Sequence, residues 1–332
     1  MMQTLLMLLK REYWEHKGSM VVLPLVIAGL LMVLILSLAL LVTFGDEDIV
    51  ISGNGDWSEH GREFRLHRFS EEDGNSRHEG IIFEGNKGIV KEIILEKLSD
   101  FADYPADYKR QKMQKVLSSV AAPLFLVMWG VIFFYLLGSL YDDRKDRSIL
   151  FWKSMPVSDA MTVAAKLIMA MLVVPALVIV CIMVVQLFML MVATFMTLGE
   201  GIGIWETFWA PAGLLTLWTS MVVKMLFLDF WVLPFFTWLV LVSASARSNP
   251  ISWAIGIPVV IWILKALGFL GAGITQWLVD HGLVPLEFMV DPGASLSVLG
   301  EYVFSLGMFS ALLVGGAMIA AAIYMRGRSE EL

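Results

Sequence analysis

The chain has a single cysteine, Cys181, so no disulfide can form within it. Charge is scarce as well. Asp, Glu, Lys and Arg make up 17% of the 332 residues, against about 25% in soluble domains. The 24 basic and 31 acidic residues leave a formal charge of −7, which gives a nucleic-acid partner no electrostatic support. Recognisable catalytic patterns are missing too: a nucleophile elbow, a zinc-protease helix and a Cys/His pair are all absent. The nearest approach to a phosphate loop starts at Gly80, but Asn86 separates the Gly85 and Lys87 that would have to be adjacent. His60, Glu63 and His67 would share a helix face at metal-ligand spacing. Gly61 and the surrounding charge disfavour a helix there, and a solvated loop is the plainer reading.

What the chain does have is apolar surface. Hydrophobic residues reach 58% and mean hydropathy is +0.74, which excludes disorder and indicates a polytopic membrane protein. The expected fold is all-α with six transmembrane helices, at 20–44, 116–140, 161–198, within 206–246, 251–270 and 302–325. A helix crosses the ~30 Å hydrocarbon core with ~20 residues. The third and fourth stretches are longer than this, so they must tilt, kink or run partly along the interface. Pro175 marks a kink in the third.

The basic residues set the orientation. Lys10, Arg11 and Lys17 precede the first span, Arg144, Lys145, Arg147 and Lys153 follow the second, and Arg326 and Arg328 follow the last. The opposite connections, 199–205 and 271–301, contain no Lys or Arg. This asymmetry places both termini in the cytoplasm. Residues 45–115 hold eleven basic and sixteen acidic residues, but a loop longer than ~60 residues does not control orientation.

Three segments are not spans. Residues 1–19 read as an amphipathic interfacial helix, with Leu5, Leu6, Leu9 and Tyr13 on one side and Lys10, Arg11, Glu12 and Glu15 supplying the polar side. Residues 45–115 read as a small extracytoplasmic cap. The first half could equally be a loop. The second half carries a helical stripe (Val90, Ile93, Ile94, Leu98, Phe101), and a polar helix from Asp107 runs on into the second span. Residues 271–301 are too short to span and read as an outer re-entrant hairpin, broken by Pro285 and Pro292.

Charges inside spans are costly and often functional. Lys224 and Asp229 are therefore candidate pathway or interface residues, with snorkelling or a contact between helices as the simpler alternative. Lys166 and Lys265 lie near span ends and are expected to snorkel. On the last span, Gly307, Ala311 and Gly315 recur every four residues, a stripe that admits a closely packed neighbour.

The cytoplasmic connection 141–160 is the most informative segment. Asp142, Asp143, Arg144, Asp146 and Arg147 form a dense charge cluster, followed by Ser148, an apolar knob of Ile149, Leu150, Phe151 and Trp152, and then Lys153. Ser158 or Asp159 caps the next helix. A plain positive-inside anchor needs neither the interleaved acids nor the aromatic pair, whereas a knob with a charged rim suits docking into a partner's groove.

This run, Asp-Asp-Arg-Lys-Asp-Arg-Ser-Ile-Leu-Phe-Trp-Lys-Ser, resembles the coupling loop of bacterial membrane subunits of type-2 ATP-binding cassette (ABC) exporters. The resemblance extends over nearly the whole chain. It takes in the amphipathic start through Lys10-Arg11-Glu12-Tyr13-Trp14, the order of six spans, the outer hairpin and the short turn at Ser243-Ala-Ser-Ala-Arg247. It implies a permease subunit in the bacterial inner membrane that pairs with a second copy of itself to form a pathway, surrounded by membrane lipid. Two copies of a separate cytoplasmic ATPase would supply ATP and Mg chemistry. This chain would then be no enzyme and hold no cofactor. Residues 148–153 would be the coupling helix.

Residues 45–115 exceed the family's minimal loop, so an extracytoplasmic partner there belongs to a second reading, that of a non-transporting anchor or mechanotransducer. An ion-coupled carrier is a third reading, disfavoured by the scarcity of intramembrane acids. The substrate stays open among lipid, peptide, drug and ion.

Overall fold

Proline shapes the long helices of the computed structural model, which describes residues 2–44, 50–52, 66–73, 76–83, 89–146, 157–269, 271–282 and 303–328. Helix α1 (Met2–Lys17) passes through a π turn, Gly18–Val22, into α2 (Leu23–Phe44). Helix α3 (Ile89–Asp103) is followed by α4 (Ala106–Ser139) and the short α5 (Tyr141–Lys145). Helix α6 (Asp159–Ile168) runs through a second π turn, Met169–Val173, into α7 (Val174–Thr197). A third π turn, Trp205–Trp209, opens the next section. Each π turn ends two residues before a proline: Pro24, Pro175 or Pro211. Proline has no N–H to donate and its ring collides with the carbonyl four residues back. Widening that turn to an i→i+5 pattern relieves both problems without breaking the helix.

The interfacial segment and the first span are thus one helical run rather than two elements. The expected extension from Asp107 into the second span is present as the start of α4. The stripe from Val90 to Phe101 forms α3. The region before it differs from a plain loop. Strands β1 (Val50–Ser52), β2 (Leu66–Asp73) and β3 (Ser76–Phe83) form an antiparallel sheet in the order β1-β3-β2. Asp73 pairs with Ser76 at one end of the β2–β3 ladder and Leu66 with Phe83 at the other. Every other regular element among the described residues is helical.

The fourth apolar stretch is not one helix. A three-residue turn of helix, α8 (Ala210–Ala212), ends at Gly213, whose φ of +53° is a left-handed conformation that suits glycine. Helix α9 (Leu214–Trp231) then stops at Val232, and α10 (Leu233–Ser245) starts with Pro234 in its first turn. Gly213 sits against Gln114 and Arg110 near the start of α4. At the far end of α9, Trp231 lies against Gly307, at the start of α13 (Leu306–Arg328). The start of α9 therefore lies beside the start of α4 and its far end beside the start of α13, and α10 continues from there to the end of the bundle where Ser243 meets Leu140. This agrees with the expectation that so long a stretch tilts or kinks.

Helix α11 (Pro250–Ala266) has 17 residues and extends ~25 Å. Among the described residues five helices are long and apolar enough to cross a membrane: Gln3–Thr43, Ala106–Lys145, Asp159–Thr197, Trp205–Trp231 and Leu306–Arg328. Helices α10 and α11 are apolar but shorter. The expected fifth span, 251–270, is thus a shorter helix than foreseen. Of the outer hairpin, α12 (Ala272–Gly282) is described, while residues 283–302 lie outside the described residues. His281 of α12 stacks between Trp231 and Trp277, with ring centroids 4.7 and 4.4 Å away. Trp277 Nε1 also donates to Ser310 Oγ of α13 at 2.8 Å.

Helices α4, α7, α9 and α10 build the core around Phe125, Met128, Ile132, Ile182 and Phe236, all buried. A buried amide ties three of them together: Gln186 donates to the Leu117 carbonyl at 3.0 Å and accepts from Trp218 Nε1 at 2.8 Å. The small-residue stripe works as expected. A Cβ added at Gly315 would come within 2.8 Å of Leu233, so α10 and α13 approach closely there. By contrast α2 and α11 turn large apolar side chains outward, Leu30 and Trp262 among them.

Candidate functional site

Glu12 lies one helical turn after buried Leu8 on α1, so the helical repeat carries it inward rather than to the polar side. The residue is 1% exposed. Lys166 follows buried Thr162 and Val163 on α6 and is also inward-facing. The two meet: Lys166 Nζ donates to Glu12 Oε1 at 3.0 Å. Tyr135 of α4 donates its hydroxyl to the other oxygen, Oε2, at 2.9 Å. Lys166 does not snorkel, because its charge is compensated inside the protein.

Asp143 of α5 extends the network. Its Oδ2 lies 3.4 Å from Lys166 Nζ, and its Oδ1 accepts from Arg11 Nη2 at 3.3 Å. Arg11 Nε in turn donates to Glu15 at 2.7 Å. Two turns before Lys166, at the start of α6, Asp159 Oδ1 accepts from Arg326 of α13 at 3.2 Å. Ser158, not Asp159, caps that helix: its Oγ accepts from Met161 N at 3.2 Å.

Arg144 reaches the other way. Its Nη2 donates to the carbonyls of Ser243 and Ala246 at 2.8 and 2.7 Å, holding the end of α10. Ser243 Oγ accepts from the backbone N–H groups of Leu140 and Tyr141 at 2.9 and 3.0 Å, where α4 gives way to α5. One end of the bundle is thus locked by buried charge: α1, α4, α5, α6, α10 and α13 all contribute. Removing one partner from such a cluster is costly, because the remaining charge is then buried without compensation.

Of the residues expected in the coupling loop, Asp142, Asp143, Arg144 and Asp146 are described. Asp143 and Arg144 point inward, rather than forming part of an outer rim. Arg147, Ser148, Ile149, Leu150, Phe151, Trp152 and Lys153 lie outside the described residues. The locked cluster flanks them on both sides, through α5 before and α6 after. Glu12 and Lys166 form a buried pair that the sequence reading missed. Each sits on an inward apolar stripe with a charge opposite to the other's, a pattern that identifies buried partners.

Lys224 and Asp229 are both buried on α9 and neither belongs to this cluster. Among the described residues no hydrogen-bond partner reaches either carboxylate oxygen of Asp229. Ligand atoms of Glu12, Glu15 and His16 come within 4.8 Å of one another. Lys166, Tyr135 and Arg11 already engage both of those carboxylates, so the charge that would hold a metal is compensated by the protein itself. The other metal candidate does not assemble on a helix: His67 belongs to strand β2, and His60 and Glu63 lie outside the described residues.

Fold and site together define a multi-pass helical membrane protein whose helix ends are tied by a buried ionic cluster. No protein-family model, curated protein or solved structure matches the chain at a significant level.

Proposed function

We propose that the chain is the membrane-spanning subunit of an ATP-driven exporter of the type-2 ABC kind. Two copies would form the pathway, driven by two copies of a separate cytoplasmic ATPase that supplies ATP hydrolysis with Mg. The observation that supports this best is the Glu12–Lys166–Asp143 contact. It ties the N-terminal helix to both helices that flank residues 147–156. A push delivered to that loop would reach α1, α4 and α6 together, as mechanical coupling through rigid packed elements requires. The apolar knob Ile149, Leu150, Phe151 and Trp152 would be the surface that receives the push.

Six crossings with both termini cytoplasmic belong to the same proposal. Glu12 near the start of the chain and Arg326 near its end lie at the same end of the bundle, which supports an even number of crossings. Helices α9 and α10 would then share the fourth crossing, with α11 as the fifth.

The experiment is affinity purification of the full chain from its native membrane. An ATPase with a phosphate-binding loop should co-purify with the wild type. Phe151→Ala with Trp152→Ala should insert normally and lose that partner. Failure of any such ATPase to travel with the wild type would sink the proposal, as would full association and activity in the double variant.

A second reading is a non-transporting anchor or mechanotransducer on the same scaffold. It is favoured by the sheet and helix α3 inserted between the first two spans. Stimulation of the purified complex by an extracytoplasmic protein alone, without any substrate, would select it.

A further inference from the structure

Helix α4 presents a stripe of residues at helical spacing, Val127, Gly130, Phe134, Gly138 and, continuing into α5, Asp142. This stripe forms one wall of a groove of about 460 Å³ whose other wall is the end of α1, the π turn and the start of α2. The volume is in the range of roughly 300–1,000 Å³ typical of small-molecule sites. The two ends of the groove differ in chemistry. His16, Ser19 and Asp142 lie at one end, while Leu23 and Ile27 face Val127 and Phe134 further along.

Length narrows the class of occupant. From Asp142 to Val127 the helix advances ~22 Å, more than the ~15 Å of one leaflet's hydrocarbon. A polar end joined to an apolar channel of that reach suits a single-leaflet lipid, with its headgroup at the end of α4 and a chain running toward the bilayer centre. A compact polar solute would leave the apolar part empty.

The charge at the polar end narrows it further. The Asp142 side chain folds back over Gly138, where an added Cβ would come within 2.6 Å of Oδ2. Glycine at 138 is what lets the carboxylate lie along this wall. Among the described residues no cation reaches that carboxylate at ion-pair distance, unlike Glu12 and Asp143 nearby. A carboxylate facing an open groove binds an ammonium well, through charge-assisted hydrogen bonds. A primary ammonium offers three N–H donors, and a quaternary one offers none. His16 and Ser19 lie beside it as polar neighbours for the oxygens of a headgroup.

We propose that this groove binds one membrane phospholipid with a primary-amine headgroup, its ammonium on Asp142 and an acyl chain along Gly130 and Phe134. The site is formed by this chain alone and is independent of the exporter reading. Because the groove is walled by Tyr135, which also holds Glu12, lipid occupancy braces the ionic cluster from outside.

The test uses the full-length chain reconstituted with equal amounts of phosphatidylethanolamine, phosphatidylcholine and phosphatidylglycerol with matched acyl chains. Native mass spectrometry after mild detergent extraction then counts retained lipid. Phosphatidylethanolamine should be retained over both others by roughly tenfold. Gly130→Leu should remove the retained lipid of every class. Nothing lies within 4 Å of a Cβ at Gly130, which lines the groove, so a longer side chain starts into open space there. Asp142→Asn, at an exposed position, should keep a lipid but lose the preference. Equal retention of all three lipids by the wild type, or no retention, would overturn the proposal. So would a phosphatidylethanolamine adduct that survives Gly130→Leu.

Discussion

Glu12 and Lys166 are each tolerable in an apolar interior only because the other is there. Lys166→Met removes the cation and leaves Glu12 with Tyr135 alone, and deprives Asp143 of one of its neighbours. Breaking one side of a buried pair costs about 3–5 kcal/mol. Glu12→Gln in the same chain removes the stranded charge while keeping an oxygen for Tyr135 to donate to. The double variant should therefore recover most of the loss, a coupling that independent sites do not show. Unfolding of the purified protein in detergent measures it, and simple additivity of the two single losses would refute the pairing. The partners are 154 residues apart in the chain, so the pair was not visible as a local motif. In the sequence alone, Lys166 stands close enough to a span end to snorkel, and no local motif sets it apart. What local sequence held was subtler: Glu12 and Lys166 both occupy the buried face of their own helices.

At the scale of elements, the long apolar runs were legible because a membrane span leaves a mark that no turn chemistry obscures. The breaks inside the fourth run were harder to place. Gly213, Pro211 and Pro234 are each compatible with a continuous but kinked helix, and packing decides among the outcomes. Strand β2 was missed for a different reason. Leu66 and Phe69 are its only large apolar residues and stand three apart, so strand alternation is absent. The coupling of π turns to proline yields a prediction of its own. A π turn is one residue more than an α turn, so deleting one residue there restores an α-helix with both flanks in register. In a Pro175→Ala background, deletion of exposed Leu172 should leave a folded protein with Lys166 still facing Glu12. Deletion of Val180, equally exposed but within α7, rotates everything before it by ~100° and should abolish folding. Folded yield and thermal midpoint in detergent distinguish them. Equal damage from both deletions would show that the π turn has no spare residue.

For the whole molecule the parity of the crossings decides whether the two termini share a side of the membrane. Five long apolar helices taken alone place the two termini on opposite sides of the membrane. The six-crossing reading counts α9 with α10 once and adds α11, and places both termini together. The buried ionic cluster favours the second arrangement, because α1 and the end of α13 lie at one end of the bundle. The lone cysteine makes a clean test available. Cys181 is buried, and Cys181→Ala removes a single sulfur from the core, a small packing loss, and supplies a background without thiols. Into it go Trp14→Cys, Tyr104→Cys and Arg328→Cys, one at a time, at positions that are all exposed. A membrane-impermeant maleimide applied to intact cells should label position 104 and spare 14 and 328 until the membrane is opened. Labelling of 14 and 328 from opposite sides would mean an odd number of crossings. Then the six-crossing count would fail, and the loop carrying Phe151 and Trp152 could not share the cytoplasm with both ends of the chain.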